Sequence, residues 1–209
     1  MRADARRNRG RLLKEARDMF VERGPNASLE EIARRADVGI ATLYRHFVDR
    51  DTLMRAVVLH ALNSTIDAVE QARRDHADPF DAMAAYIHAV LEIGTSAVIP
   101  ALLSAIDLDE PELKAARITS ARRVVELLTD ARTSGGLRAD AAFADIGLAL
   151  VRLSQKLPGP FSAEEQKALA HRHADLLIAG LRADAAKPAL SGPAMELADL
   201  RQMVQDSEI

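Results

Sequence analysis

Apolar residues recur every three to four positions along almost the whole sequence, and this helical spacing constrains the fold more than any other feature. In residues 9–23, for example, the apolar stripe consists of Leu12, Leu13, Ala16, Met19 and Phe20. No stretch alternates apolar and polar residues for long enough to predict a strand. The sequence therefore predicts an all-α protein of about nine helices, or ten if a short amphipathic segment near the C-terminus also folds.

Glycine, proline and capping residues mark the expected helix ends. We predict eight helical ranges, and a break at Pro100 would divide the fifth of them to give nine helices: 9–23, 29–36, 38–47, 50–74, 79–100, 112–134, 139–157 and 163–185. Capping boxes from Ser28 to Glu31 and from Ser162 to Glu165 begin two of them, and Pro100 kinks or ends another. The pattern predicts an N-terminal domain over residues 1–52, a helical domain over 53–186, and a linker and tail over 187–209.

Composition limits the class of protein. The 209 residues are 48% apolar, enough for a sizeable core. No cysteine is present, which excludes disulfides, thiol nucleophiles and thiolate metal sites. We find no apolar run of transmembrane length, and the basic N-terminus is not followed by the apolar stretch of a signal peptide, so we expect a cytoplasmic protein.

Charge is distributed unevenly between the two ends of the chain. Residues 1–60 carry a formal charge of +4 and the remainder carries −7. The basic excess is concentrated in Arg2, Arg6, Arg7, Arg9, Arg11 and Lys14. A basic head on an acidic body favours binding of a polyanion at one end, although a solvated basic tail is the alternative.

Residues 28–47 have the pattern of a helix-turn-helix. Two short predicted helices are joined by a three-residue turn, and Ala33 and Ala36 are small enough for close packing. In the stretch "VGIATLYRHF", residues 38–47, one side is apolar through Val38, Leu43 and Phe47. The opposite side carries short or basic groups that suit the major groove of DNA, which admits a helix. The pattern therefore predicts DNA recognition by the third helix.

The run "SLEEIARRADVGIATLYRHFVDRDTL", residues 28–53, resembles the DNA-binding domain of the TetR family of transcriptional repressors. The resemblance rests on "EIA", "VG..TLYRHF" and "R.TL" in one register, and it covers residues 9 to 55. It implies that Ser28 and Thr42 donate hydroxyl groups to DNA. It further implies that Tyr44, His46 and Arg50 bind the backbone.

Base contacts are expected from the leading edge of the third helix, and the candidates are Ile40, Ala41, Thr42 and Arg45. Arg45 alone can grip a guanine with two hydrogen bonds. Two positions depart from the family pattern. Asp37 stands where glycine is common, and aspartate tolerates positive φ if the turn needs it. Glu30 stands where some relatives have a base-contacting arginine, so it repels phosphate unless it reads a cytosine amino group.

Several of these residues have simpler alternatives. Tyr44 could be a core aromatic with an exposed hydroxyl, and His46 an ordinary surface histidine. Arg50 could pair with Asp49 or Asp51 at the surface, which contributes little energy. Ser28 is expected to cap its helix in either case.

The family resemblance implies a homodimer in which the last two long helices of each subunit form a four-helix interface. The expected interface residues lie on two stripes. The first is Phe143, Ile146, Gly147, Leu150, Val151 and Ser154. The second is Leu169, His173, Leu176, Leu177, Gly180 and Leu181. The glycines would allow close approach of helices, but both stripes could instead face the subunit's own core.

The resemblance also implies that the middle helices surround a pocket for a small-molecule effector. The expected lining is Met83, Tyr86, Ile87, Val90, Leu102, Ile106, Ile118 and Val125, although such a stripe can also be plain core. Polar candidates nearby are His88, Glu92 and Asp107, with solvated surface as the alternative. Aromatic residues make up only 3% of the chain, which disfavours an aromatic-walled multidrug cavity.

Other function classes fit the sequence less well. Six histidines invite a metal site, but His171 and His173 are two positions apart and do not share a helix face. There is no glycine-rich phosphate loop and no nucleophile elbow, so we expect neither an enzyme nor a bound cofactor. A helical partner-binding protein that retains the fold without recognising DNA is the remaining alternative. We expect a repressor, with activation left open.

Overall fold

The computed structural model describes residues 2–186 and 188–206, with side chains for residues 6–186, 188–200 and 202. Met1, Lys187 and residues 207–209 of the predicted arm, linker and tail lie outside the described residues. Ten helices occur in the described part: α1 (Arg2–Arg23), α2 (Leu29–Arg35), α3 (Ile40–His46), α4 (Arg50–Asp75), α5 (Pro79–Ile93), α6 (Val98–Leu102), α7 (Pro111–Thr133), α8 (Phe143–Leu153), α9 (Ala163–Leu181) and α10 (Leu197–Asp206). The all-α prediction is confirmed.

Packing divides the chain into two compact units. The head unit comprises residues 1–64 and 97–117, and the body unit comprises residues 65–96 and 118–209. The predicted boundary after residue 52 concerns function and stays a prediction. By packing, α6 and the beginning of α7 belong with the N-terminal helices, because Val98, Leu102 and Leu113 are buried in the same apolar core.

The head unit is built around the stripe predicted for the first helix. Leu12, Met19 and Phe20 are fully buried, and they share a core with Ile32 and Leu43 from the next two helices. α1 begins at Arg2 rather than at residue 9, so the basic residues of the arm continue the same helix.

The body unit has its own core, formed by α5 with parts of α4, α7, α8 and α9. Phe80, Met83 and Ile87 of α5 are fully buried in it. At Gly136 an added Cβ would lie 2.6 Å from the Cβ of Phe80, so only glycine fits this close approach. The guanidinium of Arg182 lies 4.2 Å from the centre of the Phe80 ring.

Pro100 was expected to kink or end the fifth helix, and this expectation is wrong. α5 ends at Ile93, because Gly94 adopts the left-handed conformation with φ 68° and its N–H donates to the carbonyl of Val90. Pro100 instead lies within the short α6. Proline is compatible with the first turn of a helix because the N–H it lacks has no partner there.

α8 and α9 are shorter than predicted. A single antiparallel bridge joins Leu137 to Arg182, which holds the segment before α8 and the residue after α9 in extended conformation. α8 then begins at Phe143, after the backbone N–H of Ala142 donates to the carboxylate of Asp145 at 2.7 Å.

The expectation of no transmembrane-length apolar run needs correction. By length and composition alone, the 24 residues from Pro79 to Leu102 are apolar enough to cross a membrane. The structure divides this stretch into α5 and α6, and its apolar residues Met83 and Ile87 are buried in the body core. Buried core helices meet the same criterion, so the stretch is explained by packing.

Candidate functional site

The turn between α2 and α3 fixes the direction of the third helix. Asp37 has φ 54°, the only positive value at a non-glycine position within the described chain. The turn therefore needs the left-handed conformation, which aspartate tolerates. The N–H of Val38 donates to the carbonyl of Ala33 at 3.0 Å. Ala33 and Ala36 are buried, as expected for small residues where two helices pack closely.

One side of α3 is anchored in the head core. Leu43 and Phe47 are at most 1% exposed, and Val38 is half-buried against the same core. The opposite side exposes Ala41, Tyr44 and Arg45, since residues on a helix that are not on the buried stripe face solvent. The predicted buried side of this helix is confirmed, whereas Thr42 and His46, which were expected on its exposed side, are half-buried.

Three other predicted contact residues of α3 are half-buried, namely Ile40, Thr42 and His46. Ile40 is half-buried against the head core, which leaves Ala41 as the more accessible of the two for a base. The guanidinium of Arg45 donates to Thr42 Oγ1 at 3.2 Å, so these two base-contact candidates lie together. His46 is half-buried beside Phe47. Tyr44 is 47% exposed, which argues against the alternative of a core aromatic with only its hydroxyl at the surface.

Ser28 caps α2 as predicted. Its Oγ accepts from the N–H of Glu31 at 3.2 Å, and its hydroxyl donates to the carboxylate of Glu30 at 3.0 Å. The backbone N–H of Glu30, the Ser28 hydroxyl and the nearby Arg50 charge lower the pKa of Glu30. A negative charge therefore lies beside the serine that was expected to meet DNA.

The second half of the predicted capping box at Ser28 is absent. The carboxylate of Glu31 accepts from the guanidinium of Arg23 at 2.6 and 3.3 Å instead of turning back to the serine. This pairing is the main cause of a lowered pKa at Glu31, with smaller contributions from Arg35 and Arg34. Glu31 thus connects α1 to α2, because the arginine outcompetes a single backbone N–H for the carboxylate.

Arg50 has a role that the sequence did not predict. Its Nη1 donates to the carbonyl of Pro25 at 2.8 Å and to the carbonyl of Ala27. It forms neither of the surface ion pairs with Asp49 or Asp51 that were the alternative. Asp49 instead caps α4 by accepting from the N–H of Thr52 at 2.7 Å, as expected. Arg50 therefore holds the loop between α1 and α2 at the start of α4.

Two basic residues of α1 contact the residues that flank α3. The guanidinium of Arg9 is 4.7 Å from the centre of the Phe47 ring, a cation–π contact. Arg11 donates to Asp37 at 3.3 Å, but both side chains are largely exposed, so this pair contributes little to stability. Sequence spacing could not reveal the contact of Arg9, because Phe47 is distant in the chain.

The expected effector residues do not form one set. Met83, Tyr86, Ile87 and Val90 are buried together in the body core, where burial raises the pKa of the Tyr86 phenol. Val125 is half-buried. Leu102 and Ile106 pack in the head core, which corrects their assignment to this group. Ile118 is 48% exposed and lies outside the buried α5 group, so its place in a pocket stays a prediction.

The polar candidates near the predicted pocket have clear partners. His88 contacts His171 of α9, and Glu92 accepts from Lys167 of the same helix. Asp107 accepts from the N–H of Asp109 and belongs to the break before α7. Within the described chain, no group of three or more acidic or histidine side chains has the arrangement of a metal site.

The two predicted dimer stripes divide between the core and the surface. Ile146, Leu150 and Leu181 are at most 3% exposed and belong to the subunit's own core, which corrects their assignment. Partly buried members are Phe143, Gly147, Val151, Leu169 and Leu177. A Cβ at Gly147 would meet the Phe143 ring of its own helix at 3.2 Å, so a larger residue there would require that ring to shift by a few tenths of an ångström.

An exposed stripe on α9 consists of Leu169, His173, Leu176 and Gly180, in which only Leu169 is half-buried. Leu176 is 67% exposed, and the space around Gly180 is open. Leu148 of α8 is 45% exposed and was not predicted. Leu148 directly follows Gly147 of the predicted interface stripe, and this position is the only sequence signal that could have indicated it.

Comparison with known proteins identifies the family. Residues 12–57 match the family described as bacterial regulatory proteins, tetR family, and residues 78–183 match the SbtR-like C-terminal domain of transcriptional regulators. The chain belongs to the TetR family of transcriptional regulators. Its N-terminal part is therefore a helix-turn-helix domain of this family, and its C-terminal part is a domain found in transcriptional regulators.

Relatives and solved structures agree with this assignment. The transcriptional regulator SAB2452 of Staphylococcus aureus is 37% identical over 84 residues, which span 40% of this chain and 45% of that protein. The TetR regulator SCO0520 of Streptomyces coelicolor is 28% identical with a TM-score of 0.59, over 85% of this chain and 99% of its own. LfrR of Mycobacterium smegmatis, solved in complex with proflavine, shares the fold at 20% identity with a TM-score of 0.58, over 88% and 99% of the two chains.

Proposed function

We propose that this TetR-family regulator is a cytoplasmic repressor that binds a palindromic operator as a homodimer and is released by a small-molecule effector. The observation that carries the proposal is the free side of α3, where Ala41, Tyr44 and Arg45 are exposed opposite the buried Leu43 and Phe47. This arrangement suits insertion into the major groove. Bound near a promoter, such a dimer would block access.

The contacts divide into two classes by chemistry. Base readout is assigned to Arg45 with Thr42 and Ala41, and Ile40 supplies an apolar edge. Backbone contacts are assigned to Tyr44 and His46, with Ser28 and Arg50 at the start of α2 and α4. Because Arg50 Nη1 is engaged by two carbonyls, only the rest of its guanidinium is assigned to phosphate.

The first experiment is selection of bound sequences from random duplexes, with purified protein at moderate salt. We expect an inverted repeat whose half-sites lie about one helical turn apart. Arg45→Ala should then relax sequence choice at one position of each half-site, whereas His46→Ala should weaken binding uniformly. Removing residues 1–8 should lower both affinity and the salt slope. No enrichment from a folded, dimeric sample would favour the alternative, a partner-binding protein that retains the fold.

Dimerisation is assigned to the exposed stripe of α9 together with Leu148. The exposed Leu176 and Leu148, together with the open space around Gly180, suit a close contact between helices, and twofold symmetry is the common form of such contacts. Leu176→Glu should convert the dimer to monomers in sedimentation experiments, because a carboxylate cannot be buried there unpaired. Glu164→Gln, an exposed position at the opposite end of α9, is the control.

The effector site is assigned to Met83, Tyr86, Ile87 and Val90 of α5, together with the half-buried Val125 of α7. These side chains are closely packed, so an effector must stabilise a second arrangement in which they separate. The proflavine complex of LfrR is a property of that protein, but it supports a ligand site in this fold. A compound that raises the thermal midpoint of the protein should weaken operator binding, and the operator should weaken binding of the compound by the same factor.

A further inference from the structure

Two histidines from different helices meet on the surface of the body unit. His88 Nδ1 of α5 lies 2.9 Å from His171 Nδ1 of α9, and the two rings are inclined by only 14°. The ring centres are 5.2 Å apart. This separation is about the sum of the Nδ1–Nδ1 distance and the distance from the centre of each ring to its own Nδ1. The contact therefore runs nearly along the line between the ring centres. Each Nδ1 points directly at the other.

The far side of each ring faces a carboxylate. His88 Nε2 lies 3.1 Å from Asp175 Oδ1, and His171 Nε2 lies 3.3 Å from Glu92 Oε2. An ionised carboxylate can only accept, so the nitrogen facing it carries a proton. The hydrogen bond from Lys167, joined by the one from His171, lowers the pKa of Glu92 and keeps it ionised. Both rings thus use Nε2–H as the donor.

This arrangement leaves two lone pairs in opposition. A neutral imidazole has one N–H, so a ring that carries it on Nε2 has an unprotonated Nδ1. Two unprotonated nitrogens aimed at each other at 2.9 Å repel unless a cation lies between them. A zinc ion needs about 2.0 Å to each nitrogen, so an in-line metal does not fit this gap.

We propose that His88 and His171 share one bound proton, which makes a pH-sensitive clasp between α5 and α9. With that proton the cluster is balanced: the proton and Lys167 oppose the charges of Glu92 and Asp175. Without it the cluster has one excess negative charge and two opposed lone pairs. The clasp is closed at lower pH and opens as pH rises, and the rings are about one-third exposed, so the proton exchanges with solvent.

The groups that act on the pair lie on the same two helices. Glu92 is on α5, and Lys167 and Asp175 are on α9. α8 also packs against both helices, but its described residues contribute no hydrogen bond or ion pair to either ring. The clasp thus joins α5, which carries the buried Met83, Tyr86, Ile87 and Val90, to α9, which carries the exposed stripe with Leu176.

The direct test is nitrogen-15 NMR of histidine in the full chain at about pH 6 and about pH 8.5, on either side of the usual histidine range. At the lower pH we expect protonated Nε2 in both rings and one strongly deshielded proton on the shared Nδ1 contact. A neutral Nδ1–H form in either ring at that pH would overturn the proposal. This readout does not involve DNA or an effector, so it is independent of the proposed function.

A stability measurement tests the consequence. Between the same two pH values, the thermal midpoint of the wild type should fall by about 2–4 °C more than that of His88→Gln, which retains a donor for Asp175. His171→Gln should remove the same difference, and the double variant should remove no more. His76→Gln, an exposed histidine at the end of the helix before α5, is the control and should keep the wild-type difference.

The same thermal measurement, repeated with a chelator, tests whether a metal ion rather than a proton joins the two histidines. The pH dependence should be unchanged by a strong chelator, because the bound cation is a proton. Stoichiometric zinc or nickel in purified protein, or loss of the pH dependence on chelation, would replace the proton by a metal. An equal pH dependence in His88→Gln and wild type would also overturn the clasp.

Discussion

Two pairs of consecutive helices, α2–α3 and α8–α9, differ in how closely their orientation follows from sequence. In the first pair, the buried side of α3 is the predicted one, with Leu43 and Phe47 inside. In the second pair, the predicted stripes divide: Ile146 and Leu150 enter the subunit's core, whereas Leu176 is exposed.

The difference arises from how far apart in sequence the residues that orient each helix pair lie. A serine cap, two alanines and one left-handed aspartate within ten residues set the angle of α3. α8 and α9 are instead oriented by contacts from distant segments, such as the Leu137–Arg182 bridge and the hydrogen bond from the N–H of Ala144 to the carbonyl of Met195. Local chemistry can be read in order along the chain, but distant contacts cannot.

The largest effect is expected when a buried side chain that anchors α3 in the head core is truncated. Phe47→Ala should destabilise the head unit by about 3–5 kcal/mol, because the ring is fully buried and leaves a cavity. Denaturant unfolding followed by circular dichroism measures this change. The contrasting variant, Leu176→Ala, should change the unfolding free energy of the monomer by no more than about 0.5 kcal/mol. An equal loss in both variants would remove the distinction between the two pairs.

Much of the fold was predictable because its signals are local. The periodic stripe of α1, the proline start of α5, and the serine caps at positions 28 and 162 each act within one or two turns. The end of α5 was mistaken because Pro100 is a stronger breaker in general than Gly94, yet the glycine comes first and takes the left-handed conformation.

The candidate site was predictable only where the motif defines it. The exposed residues of α3 follow from the register of Leu43 and Phe47, whereas the carbonyl contacts of Arg50 and the Arg9–Phe47 contact depend on the folded head. The histidine pair shows the limit most clearly. His88 and His171 are 83 positions apart, and the sequence offered only the neighbouring His171 and His173 as a pair.

The next largest effect concerns Arg50, where the head depends on a contact with a preceding loop. Arg50→Ala should cost about 1.5–3 kcal/mol, since two backbone carbonyls lose a charged donor. Arg50→Lys should recover part of this loss while keeping the charge. A purely phosphate-binding role predicts otherwise: the stability of the free protein would be unchanged and only the salt slope of DNA binding would fall.

A smaller effect is expected at the serine caps of α2 and α9, one from each helix pair. Ser28→Ala and Ser162→Ala should each cost about 1 kcal/mol, because each Oγ accepts from an N–H three residues later at 3.2 Å. The neighbouring glutamates should differ. Glu165→Ala should weaken the cap, because Glu165 accepts from the N–H of Ser162 at 2.8 Å. Glu31→Ala should instead release Arg23, and its effect should shrink in an Arg23→Ala background, where only the weaker pairs of Glu31 with Arg34 and Arg35 remain.

The smallest effect is expected in acid, at the contact between Asp140, in the segment before α8, and the backbone of Leu190. Asp140 accepts from Arg138 and from the N–H of Leu190, and these bonds lower its pKa from 3.8 to about 2. Because the folded state has the lower pKa, the contact stabilises the protein above pH 3.8 and is lost as pH falls towards about 2. Proteolysis by an acid-active protease should therefore cut near residue 190 faster as pH falls through this range. Asp140→Asn should be cut fast at every pH in the range, whereas Asp184→Asn should behave as wild type. A wild-type pH profile in Asp140→Asn would mean that the tail is held by its other contacts, the Arg138 bond to the Pro188 carbonyl and the Ala144 bond to Met195.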